Sequence, residues 1–394
     1  MSNINSVSFL NKRVLIRVDF NVPLDEKFNV VDDSRIKAAA STIIDVLRKN
    51  GRVILLSHLG RPKNGVELKY SLKHIVPSLS KILGAPVSFC SGTIGCDVVK
   101  ATKDLGNGEV LLLENVRFYK EETIGDLGFA KELAKLGDVY INDAFGVSHR
   151  NHSSVSVISK LFEDRFLGNL IFSEVTNLNT VLKREKSGFT AIIGGAKISS
   201  KINVIRALFD KVETLIVGGG MAYTFINSMG GIIGDSIVEK DSLVLADSLI
   251  KTAKEKNVSL VLPVDSINGS CFENSSDIIC SDIFQIPASY IGMDIGPKSV
   301  DMFKKIILSS KTVIWNGPMG VFEFSNFETG TREVAKATCE TTRLGGFSIV
   351  GGGDSLAAIN RFGLNNCVSF LSTGGGAMLS YLEGKELPGL SAIL

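Results

Sequence analysis

At 394 residues, with 44% hydrophobic and 21% charged side chains, the chain is too long for one small core, which predicts two lobes. Its 43 basic and 41 acidic residues leave a net charge of only +2, which excludes a general attraction to nucleic acid or to a membrane surface. Six scattered cysteines (Cys90, Cys96, Cys271, Cys280, Cys339 and Cys367) without a CxxC pair exclude a disulfide framework. The opening MSNINSVSFLNKR lacks a secretory layout and no apolar run reaches the length of a membrane span, so a cytoplasmic protein with reduced thiols is expected.

RVLIRVDF reads as the first strand, with Asp19 and Asn21 standing where it gives way to loop. Ser34 is the expected cap of a helix whose apolar positions Ile36, Ala40, Ile43 and Leu47 recur at helical spacing, closed by Asn50 and Gly51. VILLS is a continuous apolar run suited to a parallel strand covered on both faces, and its end delivers His58, Gly60 and Arg61. A helix near Leu72 to Leu83, a short strand around Val87, the strand VLLLE ending at Asn115 and Arg117, a helix near Gly128 to Leu136 and the strand VYIND continue the alternation. Right-handed crossovers then gather the loops at strand C-termini along one rim, so Arg35, His58, Arg61, Arg117, His149 and Arg150 converge there. Several guanidiniums at equivalent positions call for a multiply charged anion, because the arginine fork matches phosphate and carboxylate. Asp19 and Asn21 in that rim suit a hydroxyl on the same ligand, a small phosphorylated hydroxy acid. His149 is read as structural, and His152 receives no role.

From Lys160 to Lys186 one long uninterrupted helix is expected, connecting the lobes. A second strand and helix series follows: FTAIIGGAK, a helix from about Ser199 to Phe209, TLIVGGG, helices from Met221 and near Lys240 to Lys256, and SLVLPVD. Residues 266 to 297 read as irregular and polar; TVIWNGPMGVFE is a strand and a loop carrying Asn316 and Glu323, followed by a helix from Thr329. The end of the chain repeats one device: FSIV, Gly351, Gly352, Gly353 and Asp354, then a helix; and CVSFLST, Gly374, Gly375 and Gly376, then a helix. Such triplets let backbone amides approach an anion at a helix N-terminus. Asp354 at the lip of the first cradle makes sense with a metal ion between carboxylate and phosphate, which points to a nucleotide and magnesium site. Lys197 and Lys201, four apart at the start of a helix, are expected to share a face and meet phosphate, since cations there oppose the macrodipole unless an anion is bound.

RVDFNVP at 17–23, SHLGRP at 57–62, LLLENVRF at 111–118, GGAKISSK at 194–201, WNGPMGVFE at 315–323, GGGDS at 351–355 and STGGGA at 372–377 stand in one order along nearly the whole chain. Together they resemble the phosphoglycerate kinase family. The resemblance implies an α/β fold of two Rossmann-like lobes, each a parallel sheet flanked by helices, joined by a hinge helix. The expected boundaries are 1–168, with 380–394 returning to it, for a 3-phosphoglycerate lobe and 169–379 for a nucleotide lobe. It further implies that Asp19 and Asn21 hold the substrate hydroxyl and that His58, Arg61, Arg117 and Arg150 hold its phosphate. Arg35 and Lys197 would ride on the phosphoryl in transit, with the amides of Gly374 and Gly375. Lys201 and Asn316 would meet nucleotide phosphates, Glu323 the ribose, and Gly219, Gly220 and Gly292 the adenosine. Gly351, Gly352, Gly353 and Ser355 would complete the nucleotide site, and Asp354 would hold Mg2+. The implied reaction is reversible transfer between 1,3-bisphosphoglycerate and ADP, in line and on hinge closure, by a monomer with ATP or ADP as co-substrate. Ser355, GVSHR and Ser200 depart from the usual threonine, GTAHR and aspartate of the family. A dinucleotide oxidoreductase is disfavoured because no GxGxxG occurs, and a Walker A kinase because GxxxxGK[ST] is missing. A non-catalytic anion sensor would not need Arg35, Lys197 and Asp354 together.

Overall fold

The computed structural model describes residues 4–394. It divides into two compact units, one running to Thr176 and taking in Lys385–Leu394, the other spanning Asn177–Gly384. The division falls inside the helix Asn169–Leu182. That helix is shorter than the sequence predicted, because the chain first makes the strand Arg165–Leu167 on the edge of a sheet.

The first unit is built on a six-stranded parallel sheet in the order Val87–Cys90, Val110–Leu113, Arg52–Leu56, Arg13–Arg17, Val139–Asn142, Arg165–Leu167. Val14 is in register with Val53 on one side and Val139 on the other, and the three central strands are buried almost throughout. Burial on both faces explains why these strands read as unbroken apolar runs. On one face the helix Ser34–Arg48 buries Ile36, Ala39, Ile43 and Val46 against them. Its N-cap is Asp33, one position before the expected Ser34, which is instead the first helical residue and donates its amide to Asp32 Oδ1 at 2.8 Å. On the other face Phe129, Leu133 and Leu136 pack on Leu15, Ile54 and Tyr140. The C-terminal segment belongs to this unit: Gly389 donates to Ser148 O at 2.9 Å and accepts from Asn142 Nδ2 at 2.8 Å. A Cβ at Gly389 would stand 2.8 Å from Val155, so only glycine fits there.

The second unit has its own six-stranded parallel sheet, ordered Ser259–Val261, Thr214–Val217, Phe189–Ile193, Thr312–Asn316, Phe347–Gly351, Phe370–Ser372. The two glycine cradles therefore end neighbouring strands. Residues 266 to 297 are more ordered than expected. Ile278–Asp282, Asp265–Gly269 and Ile291–Ile295 form a three-stranded antiparallel sheet. In both large sheets the chain starts at an inner strand, Arg13–Arg17 or Phe189–Ile193, and progresses outward in both directions. That reversal opens a crevice beyond the carboxyl end of the starting strand, where open α/β sheets bind ligands. Among the described residues no helix is long and apolar enough to cross a membrane.

Candidate active site

Beyond the end of Arg13–Arg17 the first unit gathers its predicted residues. Asp19 Oδ2 accepts from Arg35 Nη1 at 2.7 Å, and His58 Nδ1 lies 3.7 Å from Asp19 Oδ1. Burial would raise the Asp19 carboxyl, but Arg35 above all, with Arg17 and the Asn21 amide, holds it down to about 2. The stability this gives is present above the ordinary carboxylate range and is lost as the pH falls through about 2. His58 is buried, and desolvation against only one partly compensating carboxylate pushes its imidazole well below the ordinary range, so it is neutral at pH 7. Asn21 Oδ1 accepts the Gly60 amide at 2.8 Å, and Gly60 O accepts from Arg117 Nη1 at 2.7 Å, which ties the SHLGRP loop to the strand end on each side.

Arg61, Arg117 and Arg150 line a cleft of about 600 Å³, together with Lys63, Tyr119, Lys120 and His152. Burial and the neighbouring guanidiniums of Arg17 and Arg150 push Arg117 down to about 10; burial and Arg61 lower Arg150. Asp19, and for Arg117 also Glu122, offset this only in part, so the cleft is left with a surplus of positive charge. The neighbouring Asp19, Asn21, Arg35 and His58 form the linked chain beside this cleft and are not part of its lining.

Beneath the cleft lies a network that sequence reading missed. Arg17 and Glu122 are both fully buried, 4.0 Å apart. Ser154 bridges them, accepting from Arg17 Nε at 2.7 Å and donating to Glu122 at 2.6 Å. Arg17 Nη2 also meets His58 Nδ1 at 3.4 Å, and His152 Nδ1 stands 3.8 Å from Glu122. The available signal was a charged residue at the end of the apolar run RVLIR, since arginine is almost never fully buried unpaired.

The second crevice opens between Phe189–Ile193 and Thr312–Asn316. Lys201 Nζ donates to Gly194 O at 2.8 Å, Asn316 O at 3.1 Å and Asn316 Oδ1 at 2.5 Å, and Asn316 Nδ2 donates to Gly351 O at 2.7 Å. The two lysines do not share a helix face. The helix spans Ile202–Leu208, Lys201 is its N-cap, and Lys197 stands exposed on the preceding loop, because Gly195 at φ 107° and a turn at Ile198–Lys201 delay the helix. Burial, only partly offset by Asp354, lowers the Lys201 ammonium to about 8. A bound phosphate would raise it again, so binding takes up a proton once the pH exceeds about 8. If the phosphate of a ligand sits here, its affinity is expected to fall by up to about tenfold per pH unit above that point. Titration calorimetry between neutral and alkaline pH checks this, and Lys201→Met should flatten the dependence.

A pocket of about 460 Å³ adjoins this crevice, lined among others by Gly219, Gly220, Gly292, Glu323 and Asp354, with Tyr223 as a wall. A Cβ on Gly292 would fall 2.2 Å from Tyr223, and Gly219 has φ 67° with Gly195 2.6 Å from its Cβ position, so the pocket keeps its width through glycine. Gly352 has φ 102° and precedes the helix Gly353–Arg361, whose second residue is the exposed Asp354. Ser355 is buried, and its hydroxyl accepts the Gly317 amide at 2.6 Å, bracing the loop after Asn316. Gly374 and Gly375 form the turn before the helix Gly376–Leu382; the Gly374 amide donates to Ser372 Oγ at 3.2 Å. Among the described residues no three His, Cys, Asp or Glu side chains gather into a metal cage. One carboxylate at the lip of a phosphate cradle nonetheless suits Mg2+, which usually keeps waters and takes its other oxygens from substrate phosphates.

A family model described as phosphoglycerate kinase matches residues 4–385. The chain belongs to the phosphoglycerate kinase family. It is 46% identical to the phosphoglycerate kinase of Porphyromonas gingivalis, covering 99% of each chain, and 47% identical to the cytosolic phosphoglycerate kinase of Nicotiana tabacum, covering 100% of this chain and 98% of the relative. The structure of phosphoglycerate kinase from Coxiella burnetii superposes with a TM-score of 0.85 at 37% identity, over 100% of this chain and 98% of that one.

Proposed function

We propose a division of labour for the reaction of this family, the reversible phosphoryl transfer between 1,3-bisphosphoglycerate and ADP that gives 3-phosphoglycerate and ATP. The basic cleft of the first unit takes 3-phosphoglycerate: Arg61, Arg117 and Arg150 hold its phosphate with His58 behind them, Asp19 and Asn21 face its hydroxyl, and Arg35 reaches its carboxyl group. The pocket of the second unit takes ATP or ADP. Gly219, Gly220 and Gly292 leave room for adenosine and Glu323 meets the ribose, while Lys201, Asn316 and the cradle Gly351–Gly353 with Ser355 behind it address the phosphates. Lys197 and the amides of Gly374 and Gly375 follow the phosphoryl group in transit. Mg2+ held by Asp354 would neutralise charge on the β- and γ-phosphate oxygens.

The observation that carries this reading is the gathering of Arg61, Arg117 and Arg150 around one cleft, where burial and the guanidiniums of Arg17 and Arg150 lower Arg117, and burial and Arg61 lower Arg150. The chemistry needs no general base, because the attacking carboxylate has an ordinary pKa of about 3.5 to 4 and is already ionised. What remains is to bring two anions into line and spread charge over the equatorial oxygens, work suited to guanidiniums, ammoniums and backbone amides. Alignment of this kind contributes roughly 7 to 11 kcal/mol when the geometry is near-attack. Excluding water as the reactants meet protects ATP and the acyl phosphate from hydrolysis.

The test is acyl-phosphate formation from MgATP and 3-phosphoglycerate, read through a coupled dehydrogenase, for the wild type and Asp354→Ala. Asp354→Ala is expected to lower kcat by about a hundredfold or more and to raise the Mg2+ concentration needed for half-maximal rate. Turnover and Mg2+ dependence equal to wild type would remove the metal from Asp354.

A further inference from the structure

Lys197 is carried by an exposed loop, and the group that fixes this loop comes from a distant part of the chain. The loop's apolar anchor is Ile198, fully buried, flanked by exposed Lys197 and Ser199. Ser199 directs both of its donors at one side chain: its hydroxyl donates to Glu239 Oε1 at 2.5 Å and its amide to Glu239 Oε2 at 3.1 Å. The Ile198 amide and the Lys197 charge also lie near this carboxylate and favour its ionised form. Hydrogen bonds from donors fixed on a backbone hold a segment in register far better than an ion pair between two flexible side chains.

Glu239 is itself secured. Its amide donates to Thr224 Oγ1 at 3.1 Å in the helix Gly220–Ser228, and its carbonyl accepts the Ser242 amide at 2.8 Å. The segment leading to it is a wall of the 460 Å³ pocket: Asp235 and Ile237 line that cavity, and Ser236 Oγ accepts the amide of Gly292 at 2.9 Å. Five consecutive residues, Asp235 to Glu239, thus border the nucleotide pocket at one end and grip the lysine loop at the other.

We infer that Glu239 is a positioning residue for Lys197, holding the loop Ala196–Ser199 against the pocket wall so that the ammonium is set toward the terminal phosphate of the nucleotide. The inference rests on the assignment of Lys197 to the phosphoryl in transit. A lysine without this anchor keeps its charge but is spread over many positions, and a misplacement of about 1 Å is enough to cost about a hundredfold in rate. The signature is therefore a loss in kcat with substrate affinity kept, because Glu239 lines neither the basic cleft nor the 460 Å³ pocket.

The experiment is steady-state kinetics in the ATP-forming direction with Glu239→Ala, Ser199→Ala, the double variant and Lys197→Ala, alongside ADP binding by calorimetry. Expected are a fall in kcat of roughly tenfold to a hundredfold for Glu239→Ala and a smaller fall for Ser199→Ala. The double variant should be no slower than Glu239→Ala, and ADP affinity should stay within about threefold of wild type, since both residues act through one contact. Wild-type kcat in Glu239→Ala while Lys197→Ala loses activity would overturn the inference and leave the role of Lys197 standing. Wild-type kcat in Lys197→Ala would overturn the assignment beneath it. Losses that multiply in the double variant would also overturn the inference, because Ser199 and Glu239 would then act separately; Ser199→Ala, an exposed and small change, keeps this test open should Glu239→Ala fold poorly.

Discussion

Arg35→Ala is expected to lower kcat by about two to three orders of magnitude while the KM for 3-phosphoglycerate rises by less than about tenfold. The guanidinium is the second residue of the helix Ser34–Arg48, its side chain 28% exposed, with Nη1 on Asp19 and its other donors available to a ligand. A group that binds ground state and transition state alike changes KM; one that meets charge migrating between two oxygens changes kcat. On the proposed division of labour Arg61, Arg117 and Arg150 grip a phosphate that does not react, so their alanine variants should show the opposite pattern, with KM rising first. Arg35→Lys should restore only part of the rate, because an ammonium brings the charge without the planar fork. The same change is not silent at Asp19. With its strongest cationic neighbour gone, the buried carboxyl titrates at higher pH, so the acid limb of the kcat/KM profile should shift upward in Arg35→Ala. Initial-rate kinetics in both directions check these points, and an unchanged kcat would take Arg35 off the phosphoryl path.

The contrast between what was legible in the sequence and what was not follows the range of the interactions concerned. Strands such as Arg52–Leu56 and Phe189–Ile193 announce themselves because a parallel strand covered on both faces has no polar positions to offer. The strand ends follow from chirality and crossover rules, so the gathering of Arg61, Arg117 and Arg150 around one cleft could be foreseen. The antiparallel sheet Asp265–Ile295 could not, because its middle strand reads DSING and its order comes from ladder bonds between segments with little apolar pattern. Lys201 fell at a helix cap, where glycine in the left-handed region at Gly195 postpones the first helical turn; local spacing alone does not register that delay. Ser355 shows the same limit in a side chain. Its hydroxyl accepts the amide of Gly317, thirty-eight residues away, a brace that no local pattern announces.

Glu122→Ala is the substitution expected to cost most in stability. Arg17 and Glu122 lie in the interior with no solvent exposure, and Arg17 comes close to His58 while repelling Arg117 and Arg150. Removing the carboxylate leaves a guanidinium without its buried countercharge and deprives Ser154 of the acceptor for both its hydroxyl and its amide. Breaking a buried pair from one side costs about 3 to 5 kcal/mol, since the remaining charge still bears its desolvation. Urea unfolding of the unliganded protein should show this as a lower midpoint. The site above the network sets the second half of the expectation. An anion bound by Arg117 and Arg150 supplies some of the missing negative charge, so inorganic phosphate or 3-phosphoglycerate should raise the midpoint of Glu122→Ala by more than it raises that of the wild type. Glu122→Gln, which keeps shape and one acceptor but not charge, separates the two contributions: recovery of stability in Gln would assign the loss to the hydrogen bonds of Ser154, and a deficit equal to that of Ala would assign it to the charge. An alanine variant as stable as wild type, with no added response to anions, would mean that Arg17 does not depend on Glu122 and that the cleft tolerates its unbalanced charge by other means.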